Sequence, residues 1–198
     1  MLNFLRQIIK IYILPYRPHL KTKSEWEREY SEGMWNYLDN KKEGMRNGLI
    51  ANYIRDNFNN SVSILDLGCG SGVLQKKLSG YYSYYTGVDI SDEAINSARG
   101  LEDEKTMFRS EDLTSFIPKR KYDCIVFNES LYYLDNPLKT LGKYKSFLNE
   151  DGVIIISMWN YKEGNNLLWK SINSSLIRLE GLYLKLDSGN SWHIGFYH

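Results

Sequence analysis

The stretch Ile64-Leu65-Asp66-Leu67-Gly68-Cys69-Gly70-Ser71-Gly72 decides how the rest of the chain is read. The apolar run from Val62 to Leu67 reads as a short buried strand, and the glycines after it as a turn. Gly68, Gly70 and Gly72 let the backbone bend sharply and let a ligand approach with no side chain in the way. The helical pattern that follows, Val73 to Leu78, offers unpaired N–H groups to an anion.

Strands and helices alternate outward from this turn. Met45 to Asn57 reads as helix before it. After it come a strand at Tyr84–Ile90, a helix capped by Ser91 and running through Arg99, and a weak strand at Lys105–Phe108. Then follow a strand at Tyr122–Phe127, a helix at Pro137–Leu148, an isoleucine-rich strand at Gly152–Met158 and a helix at Asn166–Leu179. Leu182–Leu186 and Trp192–Phe196 alternate around Asp187-Ser188-Gly189-Asn190 and read as an antiparallel hairpin. The expected class is α/β, a mainly parallel sheet whose buried strands are uninterrupted apolar runs.

Composition agrees. The 198 residues, 42% hydrophobic and 25% charged, suffice for one compact domain. A net charge of +1 gives no electrostatic case for nucleic acid. Cys69 and Cys124 cannot build a disulfide scaffold or a four-thiolate zinc site, and three histidines leave little for any all-protein metal centre. Both cysteines read as small core residues.

Residues 1–44 read as a separate N-terminal segment, and 45–198 as the main domain. Leu2, Leu5, Ile8, Ile9, Tyr12 and Ile13 fall at helical spacing up to Pro15, among Arg6, Lys10, Arg17, Lys21 and Lys23. Arg6 and Lys10 interrupt the apolar run, which argues against a signal peptide, and the run is too short to span a bilayer. Two readings stand: a helix packed on the domain or a partner subunit, and a membrane-surface helix making weak contact through residues 1–20. The expected location is cytoplasmic.

Chemistry concentrates at the carboxyl ends of the strands, where open α/β sheets bind ligands. The second strand ends in Gly87-Val88-Asp89-Ile90-Ser91, and an acid there can accept both hydroxyls of a ribose. Glycines under one end and a carboxylate at the sugar together describe a nucleoside cradle.

With these two pieces the sequence resembles the class I S-adenosylmethionine (SAM)-dependent methyltransferases, from about Met45 to the end. Asp66 through Gly72 is similar to the family's first motif, and Asp89 to its ribose-binding acid, with Ile90 beside it. Glu111-Asp112-Leu113 matches the adenine-binding motif, in which an acid meets the amino group and the next backbone N–H a ring nitrogen. Asp123 through Glu129 matches the fourth motif, whose end, with Asn128, lies beside the transferable methyl. Leu148 through Gly152 matches the turn into the fifth strand. The resemblance implies a Rossmann-like seven-stranded sheet with a C-terminal antiparallel hairpin and helices on both faces. It implies SAM as cofactor and S-adenosylhomocysteine as product. A nicotinamide-binding fold fits less well, because Val73 stands where its glycine pattern would be completing.

The segment Glu25 to Trp35 resembles the lid of small-molecule members, with Tyr30 and Trp35 closing over the methionine end of the cofactor and Arg46 pairing with its carboxylate. The bland alternative is an aromatic helix packed on the sheet. Glu129 follows the fourth strand and is the candidate general base, or else a contact to cofactor or substrate. Tyr133 and His193 are the other candidate catalytic residues, and Trp159, Asn160 and Tyr161 follow the fifth strand as candidate pocket lining. No Pro-Cys dipeptide or Asn/Asp-Pro-Pro-aromatic motif marks a nucleic-acid substrate, and none is expected. The implied function is methyl transfer to a small molecule, first a hydroxyl of a sugar or polysaccharide precursor. N-methylation of an amino sugar or other small amine, and cofactor binding without turnover, stay open. The oligomeric state is not readable.

Overall fold

The computed structural model describes residues 20–39, 41–160 and 165–198. The amphipathic helix expected before Pro15, and Tyr161, lie outside the described residues. The strands are β1 (Ser63–Leu67), β2 (Tyr84–Asp89), β3 (Thr106–Ser110), β4 (Tyr122–Asn128), β5 (Leu148–Trp159), β6 (Arg178–Lys185) and β7 (Ser191–Tyr197). They form one seven-stranded sheet in the order β3-β2-β1-β4-β5-β7-β6. The first five strands in chain order pair in parallel, and β7 is antiparallel to both β5 and β6. The chain moves outward from β1 to β3 and then returns to β4 on the other side of β1. That reversal opens a crevice at the carboxyl ends of β1 and β4.

Helices α1 (Lys23–Ser31), α2 (Lys41–Asn57), α3 (Val73–Leu78), α4 (Asp92–Ala98), α5 (Pro137–Lys145) and α6 (Asn166–Ser175) surround the sheet. Side chains alternate across each strand, so the central strands feed two cores. Ile64, Cys124, Val126 and Ile155 pack with Ile50, Ile54, Leu74 and Ile95 from α2, α3 and α4. Leu65, Ile125, Phe127 and Ile154 pack on the other face with Leu141 and Tyr144 of α5 and Ile172 of α6. Burying each such aliphatic side chain contributes about 1.5–3 kcal/mol. Both cysteines are free and buried, as core residues should be.

The local signals work as read. Ser91 Oγ accepts from the Ala94 amide at 3.1 Å and starts α4. A second cap, not singled out from the sequence, is the reciprocal capping box of Thr22 and Glu25 at the start of α1. Several boundaries differ from expectation. Helix α5 stops at Lys145 and β5 starts at Leu148, earlier than Gly152, because Tyr122 pairs with Leu148 before a register shift. Helix α6 stops at Ser175, and Arg178–Leu182 joins β6 instead of extending the helix to Leu179. Leu176 and Leu179 keep helical spacing with Ile172, yet pairing with β7 satisfies the backbone of this stretch. Helix α2 begins at Lys41 and runs across the boundary drawn between residues 44 and 45.

Candidate active site

A cavity of about 630 Å³ lies at the carboxyl ends of β1, β2 and β4, roofed by α1 and the turn after it. Its size falls within the roughly 300–1,000 Å³ of small-molecule pockets. Of the residues singled out from sequence, Tyr30, Trp35, Arg46, Asp66, Gly68, Gly70, Asp89, Ile90, Asp112, Leu113, Asn128, Glu129, Tyr133 and Trp159 line it. Gly72, Asn160 and His193 do not.

The turn after β1 is tied to β2. The Gly68 and Cys69 amides donate to the Val88 carbonyl at 2.7 and 3.1 Å. The Gly70 amide donates to Asp89 Oδ2 at 2.9 Å, and the Ser91 amide to Asp89 Oδ1 at 3.0 Å. Backbone amides thus hold the Asp89 carboxylate in place beside the turn. Gly68 has φ +84°, and a Cβ there would strike the Ser130 side chain. Gly70 has φ +53°, and a Cβ would sit 2.9 Å from the Tyr30 hydroxyl that roofs it. Gly72 packs instead under Leu101 and Phe108, so its bareness serves the core.

Asp66 is 1% exposed, and its Oδ2 accepts from the Tyr85 hydroxyl at 2.5 Å. Its Oδ1 is buried without a hydrogen-bond partner. Burial pushes this carboxyl up to about 7, against the pull of the Tyr85 hydrogen bond. Asp89, 8% exposed, is likewise raised by burial and held back by the amides it accepts from. At the far side, Asp112 Oδ1 accepts from the Thr114 amide at 2.7 Å. The Leu113 carbonyl is gripped by Tyr144 Oη at 2.9 Å and Lys143 Nζ at 3.1 Å, both from α5.

These features suit an adenosyl ligand. The fixed Asp89 carboxylate, the anchored Asp112–Leu113 loop and Asp66, whose buried Oδ1 has no hydrogen-bond partner, all belong to the wall of one cavity.

The other half of the cavity centres on Glu129. Its φ of 62°, left-handed and rare for a side-chain-bearing residue, turns the chain out of β4. The carboxylate folds back onto β5: Oε1 accepts from Ser157 Oγ at 3.0 Å, and Oε2 from the Trp159 amide at 2.9 Å. Tyr132 Oη also donates to Oε2, at 2.8 Å. Burial raises the Glu129 carboxyl above its ordinary value, with Arg46 and these three donors opposing.

Arg46 is 2% exposed and already engaged. Its Nε and Nη2 donate to Glu43 Oε2 at 3.2 and 2.7 Å, and Nη1 donates to Asn128 Oδ1 and lies 3.5 Å from Glu129 Oε1. Two carboxylates thus face one guanidinium, which leaves the cluster formally anionic. Asn128 Nδ2 in turn donates to Asn47 Oδ1 at 2.8 Å.

His193 sits on β7, 4.7 Å from the Tyr183 ring and 6.0 Å from that of Trp169. Its neighbour Trp192 lines the cavity, and strand alternation sends the imidazole to the opposite face. Spacing alone also passed over Lys21, Trp26, Glu43, Asn47 and Tyr132, all of which line the cavity. The alternation of β7 could have chosen Trp192 over His193; the others meet only through the fold. Among the described residues no cluster of three metal-ligating side chains occurs, and no helix is long and apolar enough to cross a membrane.

The methyltransferase-domain family is matched over residues 28–192. The chain is 29% identical over 125 residues to the ubiquinone biosynthesis O-methyltransferase of Glaesserella parasuis serovar 5, covering 58% of this chain and 53% of that protein. It is 30% identical over 105 residues to the malonyl-[acyl-carrier protein] O-methyltransferase of Bacillus cereus, covering 52% and 39%. The chain thus spans about half the length, or less, of these curated relatives. The fold is shared with the N-methyltransferase NodS of Bradyrhizobium japonicum, crystallised with S-adenosylhomocysteine. The TM-score is 0.76 at 19% identity, over 88% of this chain and 96% of that one.

Proposed function

The chain belongs to the methyltransferase-domain family, and on that premise we propose that it transfers the methyl group of SAM to a small molecule. The first acceptor class is a hydroxyl of a sugar or polysaccharide precursor. The observation that carries the reading is Asp89: buried in the cavity wall at the end of β2 and fixed by the Gly70 and Ser91 amides. Gly68, Gly70, Asp89, Ile90, Asp112 and Leu113 would hold the adenosyl part, and Asp66 and Tyr30 the methionine end. SAM supplies a methyl group already activated on a sulfonium.

The protein's part is to position the acceptor and remove its proton. Tyr132 and Glu129 supply a route: the acceptor hydroxyl gives its proton to Tyr132 Oη, which passes its own to Glu129 Oε2, 2.8 Å away. Burial raises the proton affinity of Glu129, the direction a base working near neutral pH needs. Glu129 has few free lone pairs of its own, which favours a relay over direct abstraction. Trp159 and Trp192 line the cavity and supply aromatic surface of the kind that packs against sugars. A second reading, methylation of a small amine, draws on the anionic Glu43–Arg46–Glu129 cluster.

The test is incubation with SAM and a panel of nucleotide sugars, amino sugars and small phenols, with S-adenosylhomocysteine read by mass spectrometry. Product with a hydroxyl acceptor is the expected result. Cofactor affinity without product from any acceptor would point to a binding protein without turnover, and no cofactor affinity would remove the reading.

A further inference from the structure

Lys21 of the segment before α1 places its ammonium inside a ring of aromatic side chains. Nζ lies 4.3 Å from the Trp26 ring centroid, 5.0 Å from that of Trp35 and 5.8 Å from that of Tyr133. It donates to Glu29 Oε2 at 2.5 Å, and Trp35 Nε1 donates to the same oxygen at 3.1 Å. Glu29 is 9% exposed. The walls also brace one another: Trp26 and Tyr133 meet edge to face at 5.0 Å, and Trp26 and Trp35 are 5.5 Å apart. Aromatic faces around a buried acid are the composition of a site for an ammonium or quaternary ammonium group.

This cage is part of the cavity wall, since Lys21, Trp26, Trp35 and Tyr133 all line it. Tyr133 directly follows Tyr132, the relay hydroxyl, and the two rings are 4.5 Å apart. A chain that merely needed to anchor Lys21 could do so with Glu29 at the surface. Here the lysine instead sits among aromatic rings in the wall of the cavity.

We propose that the Trp26–Trp35–Tyr133–Glu29 cage binds a cationic amine of the methyl acceptor, and that Lys21 occupies it until the acceptor arrives. The inference rests on the methyl-transfer reading and narrows it. The acceptor carries an ammonium as a handle and is methylated at another atom, because an ammonium held protonated by Glu29 has no lone pair to attack with. An amino sugar methylated on a hydroxyl has this chemistry.

The test uses the full chain saturated with S-adenosylhomocysteine, and choline as probe, with its neutral isostere 3,3-dimethylbutan-1-ol as control. Binding is followed by tryptophan fluorescence at constant ionic strength. Lys21→Ala is expected to bind choline at least tenfold more tightly than the unaltered chain, with no gain for the neutral alcohol. Adding Trp26→Leu to Lys21→Ala should abolish the gain while S-adenosylhomocysteine binding persists. Equal choline affinity with and without Lys21, or equal gains for choline and the alcohol, would overturn the cage and leave methyl transfer standing. Failure of the unaltered chain to bind S-adenosylhomocysteine would overturn methyl transfer itself, and the cage's assignment to an acceptor with it.

Discussion

The Gly70 amide donates to the Asp89 carboxylate at 2.9 Å, so the turn after β1 and the end of the adjacent β2 are one unit. Asp89→Ala removes the proposed ribose acceptor and one partner of that turn together. It is expected to weaken S-adenosylhomocysteine binding by about 1–3 kcal/mol. Titration calorimetry measures this directly, and an unchanged affinity would contradict the role given to Asp89.

With Asp66 at the methionine end of the cofactor, as proposed, binding is expected to depend on pH. In the free chain its carboxyl is pushed up to about 7, so the folded state favours the protonated form. Its contribution to stability is full below the ordinary carboxylate pKa and is lost as pH rises through about 7. A ligand ammonium beside Oδ1 favours the charged form and expels the proton. S-adenosylhomocysteine affinity should therefore rise roughly tenfold between about pH 6 and 8, with proton release visible as a buffer-dependent heat. Asp66→Asn should flatten the profile; a pH-independent affinity in the unaltered chain would remove the link.

Tyr132→Phe tests the relay with little disturbance, since it deletes one hydroxyl. Turnover is expected to fall by about 10²–10⁴-fold with cofactor affinity nearly intact. Glu129→Gln should cut turnover as deeply and also cost about 1–3 kcal/mol of stability, because the amide cannot accept all the donors now converging there. A Tyr132→Phe enzyme of normal rate would leave the relay without support.

Gly68→Ala places a methyl group against Ser130 at φ +84°. Both strain and clash oppose it, and a loss of more than about 1 kcal/mol in denaturant unfolding is expected. Gly48 meets nothing within 4 Å of a built Cβ and lies inside α2, so Gly48→Ala should stabilise by up to about 1 kcal/mol.

Much of this was legible because the signals are local. Apolar runs ending in glycine or acid gave β1, β2 and β4, and the Asp187–Asn190 stretch gave the terminal hairpin. The 176–182 stretch misled because Ile172, Leu176 and Leu179 share a helical spacing, while the partner strand that recruits Arg178–Leu182 lies further along the chain. Site residues on the glycine turn and strand ends were readable for the same reason. The Glu43–Arg46–Glu129 cluster and the cage around Lys21 were not, since each joins the N-terminal segment to the end of β4, and no spacing rule relates positions brought together only by folding.

Glu27 belongs to α1, yet it caps another helix: its carboxylate accepts from the Asp92 amide at 2.6 Å, the Glu93 amide at 3.0 Å and Ser91 Oγ at 2.9 Å. Helix α1 and the first turn of α4 are therefore tied together, and Ser91 is the same residue whose amide holds Asp89. Any movement of α1 away from the sheet would break these three hydrogen bonds beside Asp89.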